Sequence, residues 1–368
     1  MTHLKYKEQL GSRAQARISP MAHPVLLLLL VLLLVSPAIS SSTKKVHPKF
    51  PAIFYFGDSI FDTGNNDYIS TLGVANHLPY GRDFPGRRPT GRFSNGRLVP
   101  DLLNEKLQLK EFSPPYLDKN LSDEELKTGV NFASAGSGFD DRTSHLSHTL
   151  PLSAQVNLFE EYLQRLGDIV GDREASRIVT NSLIFINSGT NDFTRYYRSS
   201  RRIDIGEYQD TILRMVREYV KDMYNLGGRK FCLAGLAPFG CIPFQITLSG
   251  DPERACVDEQ NRDAQNYNSK FEKMLQTLQA SLNGSKIVYL NSYQALTEIL
   301  VNTNKYGFTE RKRGCCGTGL AEVGLLCNVF TQTCRNSSSY VFYDAVHPTE
   351  RVYRIATDYI LKNVIPKF

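Results

Sequence analysis

The sequence predicts an α/β fold in which a five-stranded parallel sheet is covered by helices on both faces, a three-layer α/β/α sandwich. Short apolar runs alternate with segments of helical period along most of the 368 residues, the order that builds a parallel sheet with crossover helices. The runs are almost wholly apolar rather than alternating, as strands buried on both faces read. Neither a Ser/Gly/Pro-rich linker nor an internal repeat interrupts the pattern, so one large domain is expected over residues 50–368.

In chain order, residues 1–40 read as a signal peptide with a long n-region. Val25 to Val35 is eleven unbroken apolar residues, preceded by Lys5, Lys7, Arg13 and Arg17 and followed by Ser36-Pro37-Ala38-Ile39-Ser40. A membrane-spanning helix needs about 20 apolar residues, so the run suits a cleaved leader better than an anchor. Met21 is an alternative start. Residues 41–49 form a short N-terminal segment. The first strand is expected at Ala52–Phe56, and others at Gly129–Ala133, Ser182–Ile186, Lys230–Ala234 and Lys286–Leu290. Between them, Leu152, Val156, Phe159, Leu163 and Leu166 fall on one helical face, and Tyr208, Ile212, Met215, Tyr219 and Met223 on another. Further helices are expected at 261–282 and 349–363. The Gly-, Pro- and Arg-rich stretch from Leu72 to Pro115 reads as a long loop beside the C-terminal edge of the sheet, where reactive groups of parallel sheets gather.

Composition narrows the class. The formal charge of +6 falls to +3 once the four Lys/Arg and one Glu of residues 1–40 are set aside, too small an excess to argue for nucleic acid. Of seven cysteines, Cys241, Cys256, Cys315, Cys316, Cys327 and Cys334 lie in loop-like sequence and are disulfide candidates; Cys232, inside an apolar run, is the expected odd thiol. The most local pairing joins Cys241 to Cys256 and the 315/316 pair to 327 and 334, the partners within that set being open. Asn120, Asn283 and Asn336 head Asn-x-Ser sequons and are candidate glycan sites. Leader, cysteines and sequons together predict a secreted, extracellular protein with no transmembrane segment in the mature chain. No metal is expected: no Cys-x-x-Cys pair occurs, and His145 and His148 lack further ligands. Oligomeric state is not legible.

Three segments at strand ends carry chemistry: Gly57-Asp58-Ser59-Ile60, Gly189-Thr190-Asn191-Asp192 and Asp344-Ala345-Val346-His347. A serine that attacks an acyl carbon needs a base, and the base needs an orienting group. Of the mature chain's histidines, only His347 has a carboxylate three residues before it, in a turn ending at Pro348. Ser59 is therefore the candidate nucleophile, with His347 its base and Asp344 the orienting carboxylate. Oxyanion donors are available from the Ser59 N–H, from a glycine N–H in Ala133–Gly138 and from the Asn191 amide. Asp58 and Asp192 read as hydrogen-bonding supports of their loops. No Gly-x-Ser-x-Gly elbow occurs, which sets aside the α/β-hydrolase scaffold.

With Gly136 added, these segments resemble the four motif blocks of the GDSL/SGNH hydrolases, most closely the plant-type GDSL esterase/lipases. The likeness covers nearly all of the mature chain, including Phe50–Asn66, Cys241-Ile242-Pro243 and Arg313–Gly319. It implies a flavodoxin-like fold and a Ser-His-Asp triad without cofactor. The triad would be Ser59, His347 and Asp344, with Ser59, Gly136 and Asn191 forming the oxyanion hole. Ile60 stands where the family name has Leu, and Ala135-Gly136 where two glycines are usual. The function implied is hydrolysis of small or lipid carboxylic esters through an acyl-enzyme, outside the cell, in the apoplast or wall if the source is a plant. An acyltransferase using the same acyl-enzyme, or an idle wall- or glycan-binding protein on this scaffold, are the alternatives.

Overall fold

The unbroken apolar runs do become the centre of a sheet. The computed structural model describes residues 49–145, 147–200 and 203–368; the leader and, apart from Lys49, the segment after it lie outside them. The described residues fall in one compact unit. Strands β1 (Ile53–Gly57), β2 (Leu183–Asn187), β3 (Lys230–Ala234) and β4 (Lys286–Leu290) pair in that order, all parallel. The longer helices are α1 (Val99–Lys106), α2 (Leu152–Val170), α3 (Asp172–Asn181), α4 (Thr190–Arg198), α5 (Ile205–Asn225), α6 (Asp258–Ser281), α7 (Ser292–Val301) and α8 (Glu350–Asn363).

Side-chain alternation along each strand divides the core in two. Phe54, Phe56, Ile184, Ile186, Phe231 and Leu233 pack with α2, α3, α5 and α6 on one face. Ile53, Tyr55, Leu183, Phe185, Val288 and Leu290 pack with α1 and α8 on the other. Strands buried on both faces need no polar side, which is why the runs are unbroken. The three-layer α/β/α architecture stands.

The strand count is corrected: the sheet has four strands, not five. Gly129–Ala133 occupies the fifth place, beside β1, and gives the flavodoxin-like order. Phe132 N–H donates to Tyr55 O at 2.8 Å, and Ser134 N–H to Gly57 O at 3.0 Å. Continuous pairing fails because Asn131 bends the segment. Its Oδ1 accepts from Ala133 N–H at 2.8 Å and its Nδ2 donates to Phe61 O at 2.6 Å, local bonds that compete with a ladder. Only a single bridge to Tyr55 results.

Residues 72–98 are irregular, as expected, but α1 occupies part of the stretch read as loop. Arg92 holds it in place: its Nη2 and Nε reach the two Asp101 oxygens at 2.7 and 2.9 Å, and its Nη1 donates to Thr63 O at 3.0 Å, all buried. A second, two-stranded sheet of β5 (Glu310–Gly314) and β6 (Tyr340–Phe342) precedes α8. Disulfides join Cys241 to Cys256, Cys315 to Cys334 and Cys316 to Cys327, and Cys232 is the buried free thiol. Among the described residues, no helix is long and apolar enough to cross a membrane.

Candidate active site

The first strand ends where its neighbour leaves no room. At Gly57 φ is +131°, and a Cβ there would lie 1.8 Å from Asn187 O of β2; only glycine fits. Gln155 of α2 grips the same residue, accepting from its N–H and donating to its O, each at 2.9 Å. The chain then closes one tight turn, with Phe61 and Asp62 N–H donating to Asp58 O at 3.1 and 3.0 Å. That turn presents Ser59 at the C-terminal edge of the sheet.

His347 reaches Ser59 from the loop between β6 and α8. Its Nε2 lies 2.8 Å from Ser59 Oγ and its Nδ1 lies 2.7 Å from Asp344 Oδ2. The arc between them is fixed by Asp344 Oδ1, which accepts from Val346 N–H at 2.7 Å and His347 N–H at 2.6 Å. Asp344 is fully buried and also accepts from Tyr80 Oη at 2.7 Å. With all its contacts donors, the carboxylate places the imidazole proton on Nδ1 and leaves Nε2 to accept from the serine hydroxyl. The Phe93 ring packs against the imidazole, centroids 4.7 Å apart.

Asn191 opens α4, and its Nδ2 donates to Ser137 O at 2.9 Å. One amide hydrogen is thereby spent on holding the side chain, and the other is left for a ligand. Among the described residues, the backbone N–H groups of Ser59, Gly136 and Gly138 make no protein hydrogen bond. Gly136 has φ +92°, and a Cβ there would lie 2.9 Å from Ser147 Oγ; Gly138 is the glycine pressed against the Asn191 loop, where a Cβ would meet Asp192 Oδ1 at 2.2 Å.

Three buried aspartates lace these loops together. Asp192 accepts from Phe139 N–H, Asp140 N–H and Thr143 Oγ at 2.9, 3.1 and 2.7 Å. Asp62 accepts from the N–H groups of Gly64, Asn65 and Ala135 at 2.8, 2.7 and 2.9 Å. Asp58 accepts from Ile60 N–H at 3.1 Å and Asn187 Nδ2 at 3.3 Å. Burial outweighs these donors and lifts the carboxyls of Asp58 to about 7 and of Asp62 and Asp192 to about 6. Asp58 and Asp192 thus lie where loop supports were expected. His145 and His148 are exposed, and neither lines the hollow beside Ser59. Among the described residues no cluster could hold a metal ion.

Sequence reasoning missed Tyr80, Gln155 and Phe93. Tyr80 contacts Asp344 across 264 positions, so no local pattern marks it; its place in the long loop was the only clue.

The site opens into a largely apolar cavity of about 150 Å³ that Ser59, Asn191, Leu290, Leu296, Val352 and Ile360 help to line. Comparison with known proteins places this geometry in context. The profile of the GDSL-like lipase/acylhydrolase family matches residues 53–360. GDSL esterase/lipase At1g58430 of Arabidopsis thaliana is 46% identical over 321 residues, covering 85% of this chain and 89% of the relative. GDSL esterase/lipase At2g24560 from the same plant is 44% identical, covering 90% and 93%. GDSL esterase/lipase At2g40250 is 39% identical, covering 93% and 98%.

Proposed function

The chain belongs to the GDSL-like lipase/acylhydrolase family and is an ester hydrolase, and on that premise we propose that it cuts carboxylic esters through a Ser59–His347–Asp344 triad and an acyl-enzyme. Ser59 Oγ attacks the acyl carbon while His347 Nε2 takes its proton. Asp344 holds the imidazole and balances the charge that develops on it. The tetrahedral oxyanion is held by the N–H of Ser59, the N–H of Gly136 and the free hydrogen of the Asn191 amide. His347 then gives its proton to the departing alcohol. Water, deprotonated by the same imidazole, releases the acid and restores Ser59.

The observation that carries this reading is the unbroken chain of contacts from Ser59 Oγ to His347 at 2.8 Å and from His347 to Asp344 at 2.7 Å. A fluorophosphonate probe tests it: the wild type is labelled and loses activity, and Ser59→Ala is neither labelled nor active above the residual catalysis of the oxyanion donors. Equal labelling of the two proteins overturns it.

The protein acts outside the cell in this reading. Three disulfides support it, since such bonds persist in oxidising compartments. Asn120, Asn283 and Asn336 are all exposed and are the proposed glycan sites. The leader of residues 1–40 is the proposed export signal.

A further inference from the structure

We infer that the acyl chain of the substrate runs from Ser59 into a passage between α7 and α8, and that Ala295 and Ala356 set the chain length it admits. The inference rests on Ser59 as the nucleophile.

The cavity beside Ser59 carries a few polar groups in a mainly apolar lining. Ser188 and Tyr353 line it, and among the described residues Ser188 Oγ and Tyr353 Oη are buried without a hydrogen-bond partner. Ser188 adjoins the Asn191 loop, and Tyr353 has Asp344 and Asp58 as its charged neighbours, so both orphaned hydroxyls sit at the head of the cavity near the triad. Apart from Ser292, the groups that β4, α7 and α8 add to the lining away from the triad are mainly apolar, among them Leu290, Leu296, Ile299, Val352 and Ile360. A buried hydroxyl without a partner is costly, and a polar ligand group arriving there relieves the cost. A ligand with an oxygen-rich head and a hydrocarbon tail matches both halves.

The same two helices also line a neighbouring hollow. A second hollow, of about 840 Å³, lies on the outer side of the same two helices. Ala295, Ala356 and Tyr359 line both hollows. Two of these three are alanines, one from each helix, so the partition between the hollows is thin where the helices meet. The outer mouth is rimmed by Glu298, Asp358 and Lys362, where a hydrocarbon tail gains nothing further. The passage thus favours unbranched acyl chains long enough to cross the alanine pair. Within it each added methylene raises kcat/KM roughly fourfold, until the tail meets the charged rim.

The test uses the full-length enzyme and nitrophenyl esters of graded acyl length. For the wild type, kcat/KM rises from butyrate toward dodecanoate. Ala356→Phe, which fills the gap, lowers the dodecanoate-to-butyrate ratio at least tenfold, by an order-of-magnitude estimate from the methylenes it displaces. An unchanged ratio overturns the passage. Ala295→Leu narrows the same passage from α7 and Tyr359→Ala widens it: the first shifts the optimum to shorter chains, the second to longer ones. Shifts in neither direction also overturn it. Failure of the underlying mechanism has a different signature, butyrate hydrolysis that survives Ser59→Ala.

Discussion

In the mechanism proposed above, Tyr80 acts with the triad although it touches no reacting atom. Its hydroxyl donates to Asp344 Oδ2 at 2.7 Å and accepts from Gly324 N–H at 2.8 Å. It is a positioning residue, acting on the imidazole through the carboxylate. Tyr80→Phe removes a donor to a charged group and leaves Gly324 N–H without its acceptor. A bond of that kind corresponds to roughly a tenfold loss, expected in kcat with KM little changed, and with a displaced limb in the pH profile of kcat/KM. Steady-state kinetics across pH checks this; an effect on thermal stability alone would assign Tyr80 a purely structural part. At this scale, what is local was legible and what is distant was not. Asp344 and His347 are three positions apart and announce each other. Tyr80 and Gln155 act through contacts spanning 264 and 98 positions, and neither residue type is unusual where it stands.

At the level of elements, the segment between β5 and β6 is tied by two nested disulfides, Cys316–Cys327 inside Cys315–Cys334, with separations of 11 and 19 residues. It supplies Gly324 N–H to Tyr80, and its Glu322 O accepts from Ala345 N–H at 2.9 Å, beside Asp344. The staple therefore stiffens the ground on which the orienting carboxylate stands. Replacing Cys316 and Cys327 with alanine should cost about 2–4 kcal/mol of stability and depress kcat more than KM. Urea unfolding and ester kinetics measure the two effects, and a variant equal to the wild type in both would show the staple idle. The pairing itself was only half legible, because two adjacent cysteines facing two others leave the choice to β5 and β6. Strands read well: β3 and β4 fall on the predicted runs, and β1 and β2 are displaced by one residue. The predicted fifth strand failed because hydropathy does not register the side-chain bonds Asn131 makes to Ala133 N–H and Phe61 O. Helices α3, α4 and α7 went unread, each lying hard against a strand without a long periodic run of its own.

For the molecule as a whole, folding moves Asp58, Asp62 and Asp192 from water, where such carboxyls titrate near 3.8, into sites where burial raises them to about 7, 6 and 6. The native state then holds these protons more tightly than the unfolded chain. Their contribution to stability is full below the unfolded value and is lost as pH rises through the folded ones, between about 4 and 7. For Asp58 the span corresponds to at most about 4 kcal/mol. Asp58→Asn keeps the oxygen that accepts from Ile60 and carries no charge, so its stability should fall less from about pH 4 to about pH 8. Denaturant titrations of both proteins at the two pH values decide the matter, and parallel slopes would remove Asp58 from the account.

The bond between His347 and Ser59 joins residues 288 positions apart, and that separation is also an interval of time. Translation delivers the serine first and the histidine 288 residues later. Between those moments no stretch of nascent chain contains both halves of the pair. A polypeptide still being made therefore carries no assembled Ser59–His347 pair. The pair exists only once the turn after β6 has reached the turn after β1.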